Sequence, residues 1–508
     1  MKRIVGIAGI AVTWLLSSGH VGSPDAWFEG AAGPYHVVVQ VVPAGVVPGV
    51  ATVNVRVVGD KVSSVSIQTN RFDATGGAPP PEPTTESVNE AGLFSGKLWI
   101  MAGGSNSVIV NVSGAKGTGT ALVPVVISPF ARLELGKKMS AGLMAMGAFL
   151  FVGLVTIIGA AVRESSLPPG DPATPATRRR ARNAMVIATA LLGVALFGGW
   201  KWWTSEDESF VRSMYKPMDA AVSLDTSGGS RAIAFRIADS AWVHRGDTAW
   251  LRARQVSSWT PLVEDHGKLM HMFAVSSDMS AFAHLHPTTV DSVTFTAPMP
   301  DLPAGKYRVF ADIVHESGFN QTLVSSVDVG ASASPTATAN PDDSWFNGPV
   351  AGANGRATLD DGSTVEWKRS GASIAAGKPA SLTFDVRNSD GTPATLEPYM
   401  GMAAHAVVQR SDGSVFVHLH PMGTISMASQ MTFQMRQPGD TIRGRLGKRV
   451  SSAEMTAMSH SVIDDNIVSF PYAFPKEGNY RVWVQVKRGG KVMTAAFDAS
   501  VAQSAAAD

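Results

Sequence analysis

The residues best suited to chemistry are two identical tetrapeptides, His284-Leu285-His286-Pro287 and His418-Leu419-His420-Pro421. On a β-strand alternate residues share a face, so each His-x-His aims two imidazoles the same way, roughly 7 Å apart at the backbone and able to converge on one ion. Upstream of each lies a third histidine, His271 and His405. Ser277-Asp278 sits midway between His271 and His284, and Ser411-Asp412 midway between His405 and His418. A hairpin closed at either turn places the third histidine opposite the first of the pair. Each repeat thus offers three imidazoles, His271, His284 and His286 or His405, His418 and His420, and neutral imidazole suits copper, zinc and nickel. The competing account has these histidines bonded to one another and to backbone carbonyls at a sandwich rim, with Pro287 and Pro421 ending the strands.

The likeness extends well beyond four letters. A shift of 134 residues carries Leu262, Gly267, His271, Ser277, Asp278, Ser280 and Phe282 onto Leu396, Gly401, His405, Ser411, Asp412, Ser414 and Phe416. Farther on, Gly305-Lys306-Tyr307-Arg308-Val309 answers Gly478-Asn479-Tyr480-Arg481-Val482, so the unit repeated is a whole domain. The same shift sets His266 against Met400. A fourth donor is then His266 in the first repeat and Met400 or Met402 in the second, and a mixed histidine and methionine site favours Cu(I). His266 and His271 fall on opposite faces of a regular strand, so a loop or bulge must precede Lys268. The second repeat also carries about 39 extra residues holding Met422, Met427, Met431, Met435, Met455, Met458 and His460. These methionines either collect soft metal or fill a core beneath a long loop.

Composition narrows the chemistry. The chain of 508 residues has no cysteine, which removes disulfides, thiolate nucleophiles and cysteine-dependent zinc or blue-copper sites. A formal charge of +1 without a long basic run gives no electrostatic footprint for nucleic acid. Only 16% of residues are charged, and 50 Gly with 30 Pro point to many short strands and turns.

The elements that must position the histidines follow in order. Residues 1–22, with Lys2-Arg3 before an apolar run, read as a signal peptide or anchor. Residues 23–135 alternate with period two and read as an extracytoplasmic β-sandwich. Residues 139–162 and 184–203 are apolar enough to span a bilayer as helices and so to contact membrane lipid. The loop 163–183 between them is rich in arginine, which makes that side cytoplasmic. Two further β-sandwiches, 210–330 and 344–508, flank a linker at 331–343. The fold class is mainly β: three immunoglobulin-like sandwiches plus two transmembrane helices. The reading is a multi-pass protein of the cytoplasmic (inner) membrane, its large domains facing the periplasm or cell exterior.

The other histidines carry less. His36 reads as a surface strand residue and His315 as a surface residue, because Arg488 holds the matching place. His244 and His460 have no partner by spacing, and His20 lies in the leader. Asp265 invites acid or base chemistry, but its counterpart is Tyr399 and no nucleophile stands in reach.

Asp265-His266-Gly267-Lys268-Leu269-Met270-His271 with Phe282-Ala283-His284-Leu285-His286-Pro287, and Tyr399-Met400-Gly401-Met402 with His418-Leu419-His420-Pro421, resemble motifs of bacterial extracytoplasmic proteins of the YtkA-like and CopC-like families. The resemblance covers residues 220–330 and 345–502 and implies immunoglobulin-like sandwiches associated with copper handling. CopC-type sites use a ligand at the mature N-terminus, which internal domains do not offer. The expectation is a metal-binding protein, with copper first and zinc second, for storage, delivery or resistance, passing metal to another extracytoplasmic copper protein. Two alternatives stand: a two-site copper oxidoreductase, and a structural or adhesive envelope protein without metal.

Overall fold

The computed structural model describes residues 25–504 apart from 74–77, 130–131, 133–134, 166, 169, 226–230, 332–339, 353, 370–372, 438–439, 441–443, 460–462 and 464. The leader, His20 and His460 lie outside the described residues. The chain is mainly β and forms two compact units, one of Met1–Ser128 with Lys216–Asp508, the other of Pro129–Tyr215.

The smaller unit holds two helices, Lys137–Glu164 and Pro175–Ser213, both long and apolar enough to cross a membrane. They run past the apolar windows at 139–162 and 184–203 because nothing in the flanks breaks them. The second begins where Thr174 accepts from the Thr177 amide and Pro175 takes the first turn.

In the larger unit the first sandwich packs Ala26–Ala32, Tyr35–Val42, Gly49–Val58, Leu93–Ile100 and Thr85–Glu86 against Glu82–Pro83, Val62–Arg71, Gly104–Gly114 and Gly117–Ile127. Period-two alternation buries Val37, Val39, Val41, Val53 and Val55 against Val108, Val110 and Val112. The first histidine-bearing repeat has Ala220–Asp225, Ala232–Ile237 and Thr294–Pro298 in one sheet. Its other sheet orders Leu262–Val263, Gly305–His315, His271–Ser276, Phe282–Leu285 and Ser344–Phe346, with Asn320–Val329 also paired to Gly305–His315. Ser344–Phe346, read from sequence as the start of the last domain, therefore closes the first repeat's sheet, with Phe282 opposite Phe346. The second repeat pairs Arg356–Thr358, Thr364–Trp367, Ala380–Arg387 and Ile467–Tyr472, and separately Phe416–Leu419, His405–Arg410, Gly478–Arg488 and Lys491–Val501.

Every residue of His271–Ser276 and Phe282–Leu285 is buried. One face, Met272, Ala274, Ala283 and Leu285, fills its own sandwich, while Phe273, Val275 and Phe282 meet Val407, Phe416 and Trp483 of the second repeat. Phe310 stacks on Phe416 with centroids 3.9 Å apart, and Phe282 on Trp483 at 4.9 Å. The repeat correspondence exchanges these two pairs, since Phe310 matches Trp483 and Phe282 matches Phe416. The sheets thus meet face to face about an approximate two-fold, each presenting the same patch.

Candidate metal centre

At one end of this interface the aromatic rings give way to imidazoles. His266, His271, His284, His286, His405, His418 and His420 are all buried. The pairing differs by two residues from the expected hairpin. Met272 opposes Leu285 and Phe273 opposes His284, so His271 stands across from His286, with His284 diagonal to it. The turn is a four-residue loop, in which Ser276 and Ala281 close the ladder and Asp278 accepts from the Ser280 amide. The second repeat keeps the register, with Ala406 opposite Leu419. Directly opposed residues share a face, so the three imidazoles of each repeat still point the same way.

His266 reaches the site through a tight turn. Asp265 and Lys268 exchange backbone hydrogen bonds of 2.9 and 3.1 Å, and His266 and Gly267 have φ of +55° and +71°. That is the geometry of a type I′ turn, and it is the irregularity the spacing required. Tyr399-Met400-Gly401-Met402 makes the same turn, with φ of +50° and +79° at its centre.

The histidines group otherwise than by repeat. His271, His284 and His286 form one set whose ligand atoms lie within 4.8 Å of one another; the second set is His266, His405 and His420. The expected set His405, His418 and His420 is thereby altered, because His266 crosses the interface to within 5.4 and 5.0 Å, ring to ring, of His405 and His420. Two separate sites, one per sandwich, are replaced by one joint cluster. Met400 and Met402 are buried, and Met400 approaches the cluster through its carbonyl, which lies near the His266 ring without closing a normal hydrogen bond.

In the first set the outward nitrogens meet acceptors. His271 Nε2 is 3.0 Å from the Asp265 carbonyl, His284 Nδ1 is 2.9 Å from Gln485 Oε1, and His286 Nδ1 is 2.9 Å from Asp343 Oδ1. Each ring therefore donates outward, and the lone pairs of His271 Nδ1, His284 Nε2 and His286 Nε2 are left for the cluster, a tautomer assignment that follows from the hydrogen-bond network. His271 Nδ1 and His284 Nε2 face each other at 3.2 Å. Two lone pairs at that distance repel unless a cation lies between, and ligand nitrogens on one tetrahedral zinc-sized ion stand about 3.3 Å apart. Outward donation to carbonyl or carboxylate is also how metal-binding histidines are held. In the second set His420 Nδ1 is 3.0 Å from the Ile425 carbonyl. His405 has no hydrogen-bond partner at either ring nitrogen among the described residues, nor has His418 Nε2.

Burial makes these poor bases and good ligands. It lowers His266, His271 and His420 from 6.5 to about 4 and holds His284, His286, His405 and His418 well below the usual value, with neighbouring imidazoles adding to the effect at every ring but His266. Carboxyls nearby move the other way, again through burial: Asp312 rises to about 7, Asp343 to about 6 and Glu454 to about 9. Glu454 nears the Asp265 carboxyl and the amides of His266 and Gly267.

Sequence reasoning missed Asp312, Asp343, Tyr399 as a site residue, and Gln485. Asp312 and Gln485 hold matching places in the closing strands, and each serves the opposite repeat: Asp312 Oδ2 lies 3.5 Å from His418 Nδ1, as Gln485 does from His284 at 2.9 Å. That correspondence was the available signal. The Tyr399 hydroxyl is 3.2 Å from His284 Nδ1 and donates to the Asp342 carbonyl.

The Met-rich insertion forms helices Met427–Met435 and Arg445–Ser459. Met431 and Met435 pack with Val263, Val314, Leu446 and Val450, Met422 packs on the first sandwich, and Met458 rests against Gly401 and near Gly267. These four fill gaps between elements. Met455 is exposed. The segment after His420 also ties the repeat to the first sandwich, where Glu29 donates to Met422 at 2.8 Å and Thr424 to Trp27 at 3.0 Å.

His315 is fully buried rather than on the surface, bonded to Thr260 and Gln321, because the rings of Trp242, Trp259 and Phe319 pack around it. His36 is exposed beside Glu29, and His244 stacks on Trp250.

A model for a domain of unknown function, DUF8832, matches residues 239–330, 357–443 and 450–503, stretches that contain all seven histidines and Gln485. A comparison with curated proteins returns no match. Among solved structures the chain is similar to an engineered protein, 22% identical over 19% of this chain and 21% of that one, with a TM-score of 0.15. It is also similar to the native conformation of E. coli alpha-2-macroglobulin, 7% identical over 95% of this chain and 23% of that one, with a TM-score of 0.19. The chain spans about a fifth of the length of either, and scores this low assign nothing.

Proposed function

We propose that this is a membrane-anchored protein that binds a transition metal, copper before zinc, outside the cytoplasm, for storage, delivery or resistance. The observation that carries the reading is the first histidine set: three buried neutral imidazoles whose lone pairs converge while their outward nitrogens are each held by an acceptor. Copper is preferred because an all-imidazole set suits it, affinity for such sites peaks at copper, and the His-Leu-His-Pro motif resembles that of the YtkA-like and CopC-like proteins. The extracytoplasmic placement rests on the leader-like N-terminus and the arginine-rich loop between the two apolar helices.

The test is metal retention by the full chain in detergent. After loading with Cu(I), Cu(II) or Zn(II) and desalting, the wild-type chain should retain metal, and His284→Ala/His286→Ala should retain less while keeping its far-ultraviolet circular dichroism. No retained metal in the wild type, or retention unchanged in that variant and in His405→Ala/His420→Ala, refutes the reading. A second reading, a copper oxidoreductase, draws on the adjacency of two histidine sets. Oxygen consumption with ascorbate would favour it, and a chaperone should show none.

A further inference from the structure

We propose that the cluster takes a pair of ions, one held by His271, His284 and His286 and the other by His266, His405 and His420, with His418 between them. The inference rests on the transition-metal reading above and concerns how many ions the same site holds.

Seven imidazoles exceed what one ion of this class uses, since copper and zinc sites are filled by about four donors. The rings nonetheless form one unbroken group. His418 lies 5.3 and 5.4 Å from His271 and His284 of the first set, and 5.3 and 4.6 Å from His405 and His420 of the second. Its Nδ1 faces Asp312 at 3.5 Å, and its Nε2 has no hydrogen-bond partner among the described residues. A buried imidazole nitrogen without a partner is costly in a purely structural cluster and is accounted for by a ligand.

The two-fold explains why the sets are unequal. His271, His284 and His286 correspond to His405, His418 and His420, so symmetry alone would give two identical triads. His266 breaks it, because the second repeat has Met400 at that turn. The second set therefore gains a donor from across the interface, and His418 is left shared. Two divalent ions bring four positive charges into a buried site, which is stable only with compensating charge nearby. Asp265, Asp343 and Glu454 are buried about the cluster, and Asp312 faces His418. Burial raises Asp312, Asp343 and Glu454, so these carboxyls give up protons as cations enter, and with Asp265 they can then offset the charge of a pair.

The experiment strips the full chain in detergent with a chelator, titrates it with Cu(II), and reads bound copper by mass spectrometry and spin by electron paramagnetic resonance. Two coppers per chain, with a resonance broadened by dipolar coupling between neighbouring Cu(II) ions, is the expected result. His286→Ala and His405→Ala should each bind one copper with the full signal of a lone ion. One copper in the wild type, or two with the unbroadened signal of isolated ions, overturns the pair while leaving metal binding intact. No retained copper overturns both. The wild-type measurements decide the matter even if a variant fails to fold.

Discussion

Removing the Phe310 ring tests whether face-to-face packing of the repeats holds the site together. Phe310 and Phe416 are fully buried and nearly parallel, with an 8° interplanar angle and centroids 3.9 Å apart. Phe310→Ala or Phe416→Ala should each cost about 3–5 kcal/mol, the usual loss for a buried ring including the cavity left behind. The double variant should cost about 1 kcal/mol less than the sum, since the first deletion already removes the stacking partner. Guanidinium unfolding of the full chain in detergent, followed by tryptophan fluorescence, reads both values, because buried Trp483 stacks on Phe282 in the same interface. Metal at about 100 times its dissociation constant should return about 2.7 kcal/mol to wild type and variants alike, because neither ring is a ligand. Single losses below about 1 kcal/mol, or strict additivity, would refute the claim that these rings bind the repeats together.

Gln485→Leu removes the nearer of two acceptors for His284 Nδ1, leaving the Tyr399 hydroxyl at 3.2 Å, and should weaken metal binding about 10-fold with little change in fold, measured by competition with a chromophoric chelator. Gly423→Ala should lower the melting temperature and loosen the His420 segment, because φ is +117° there and a Cβ would lie 2.1 Å from the Trp27 carbonyl; an unchanged melt would contradict the docking on the first sandwich. The chelator-stripped chain should lose stability as pH falls from 6.5 toward 4. His266, His271 and His420 titrate near 4 when folded and 6.5 when unfolded, so in that window the unfolded chain binds protons the folded chain refuses. At pH 5 each costs about 2 kcal/mol; the other four lowered imidazoles add to this and the raised carboxyls of Asp312, Asp343 and Glu454 oppose it, so the urea midpoint should still drop between pH 6.5 and 5, and a flat profile would refute the dominance of the buried rings.

The sequence by itself determined the mainly β character, the two long apolar helices, the duplication and the identity of the seven histidines. Those features are local: period-two alternation, apolar length and repeated spacing are written residue by residue. The strand His-Met-Phe-Ala-Val-Ser is apolar on both faces, which states that both are covered but not by what. Only the tertiary structure decided that the second cover is the sister repeat. From that one contact follow the crossing of His266 to His405 and His420, the exchange of Asp312 and Gln485, and the merging of two expected sites into one. The two-residue shift that sets His271 opposite His286 came from the loop at Asp278, whose hydrogen bonds fix the register more firmly than the midpoint between two histidines. Asp343 reaches the site from 57 residues beyond His286, while the Ile425 carbonyl comes from the turn just after His420, because acceptors for the outward nitrogens are chosen by packing and not by a repeated spacing.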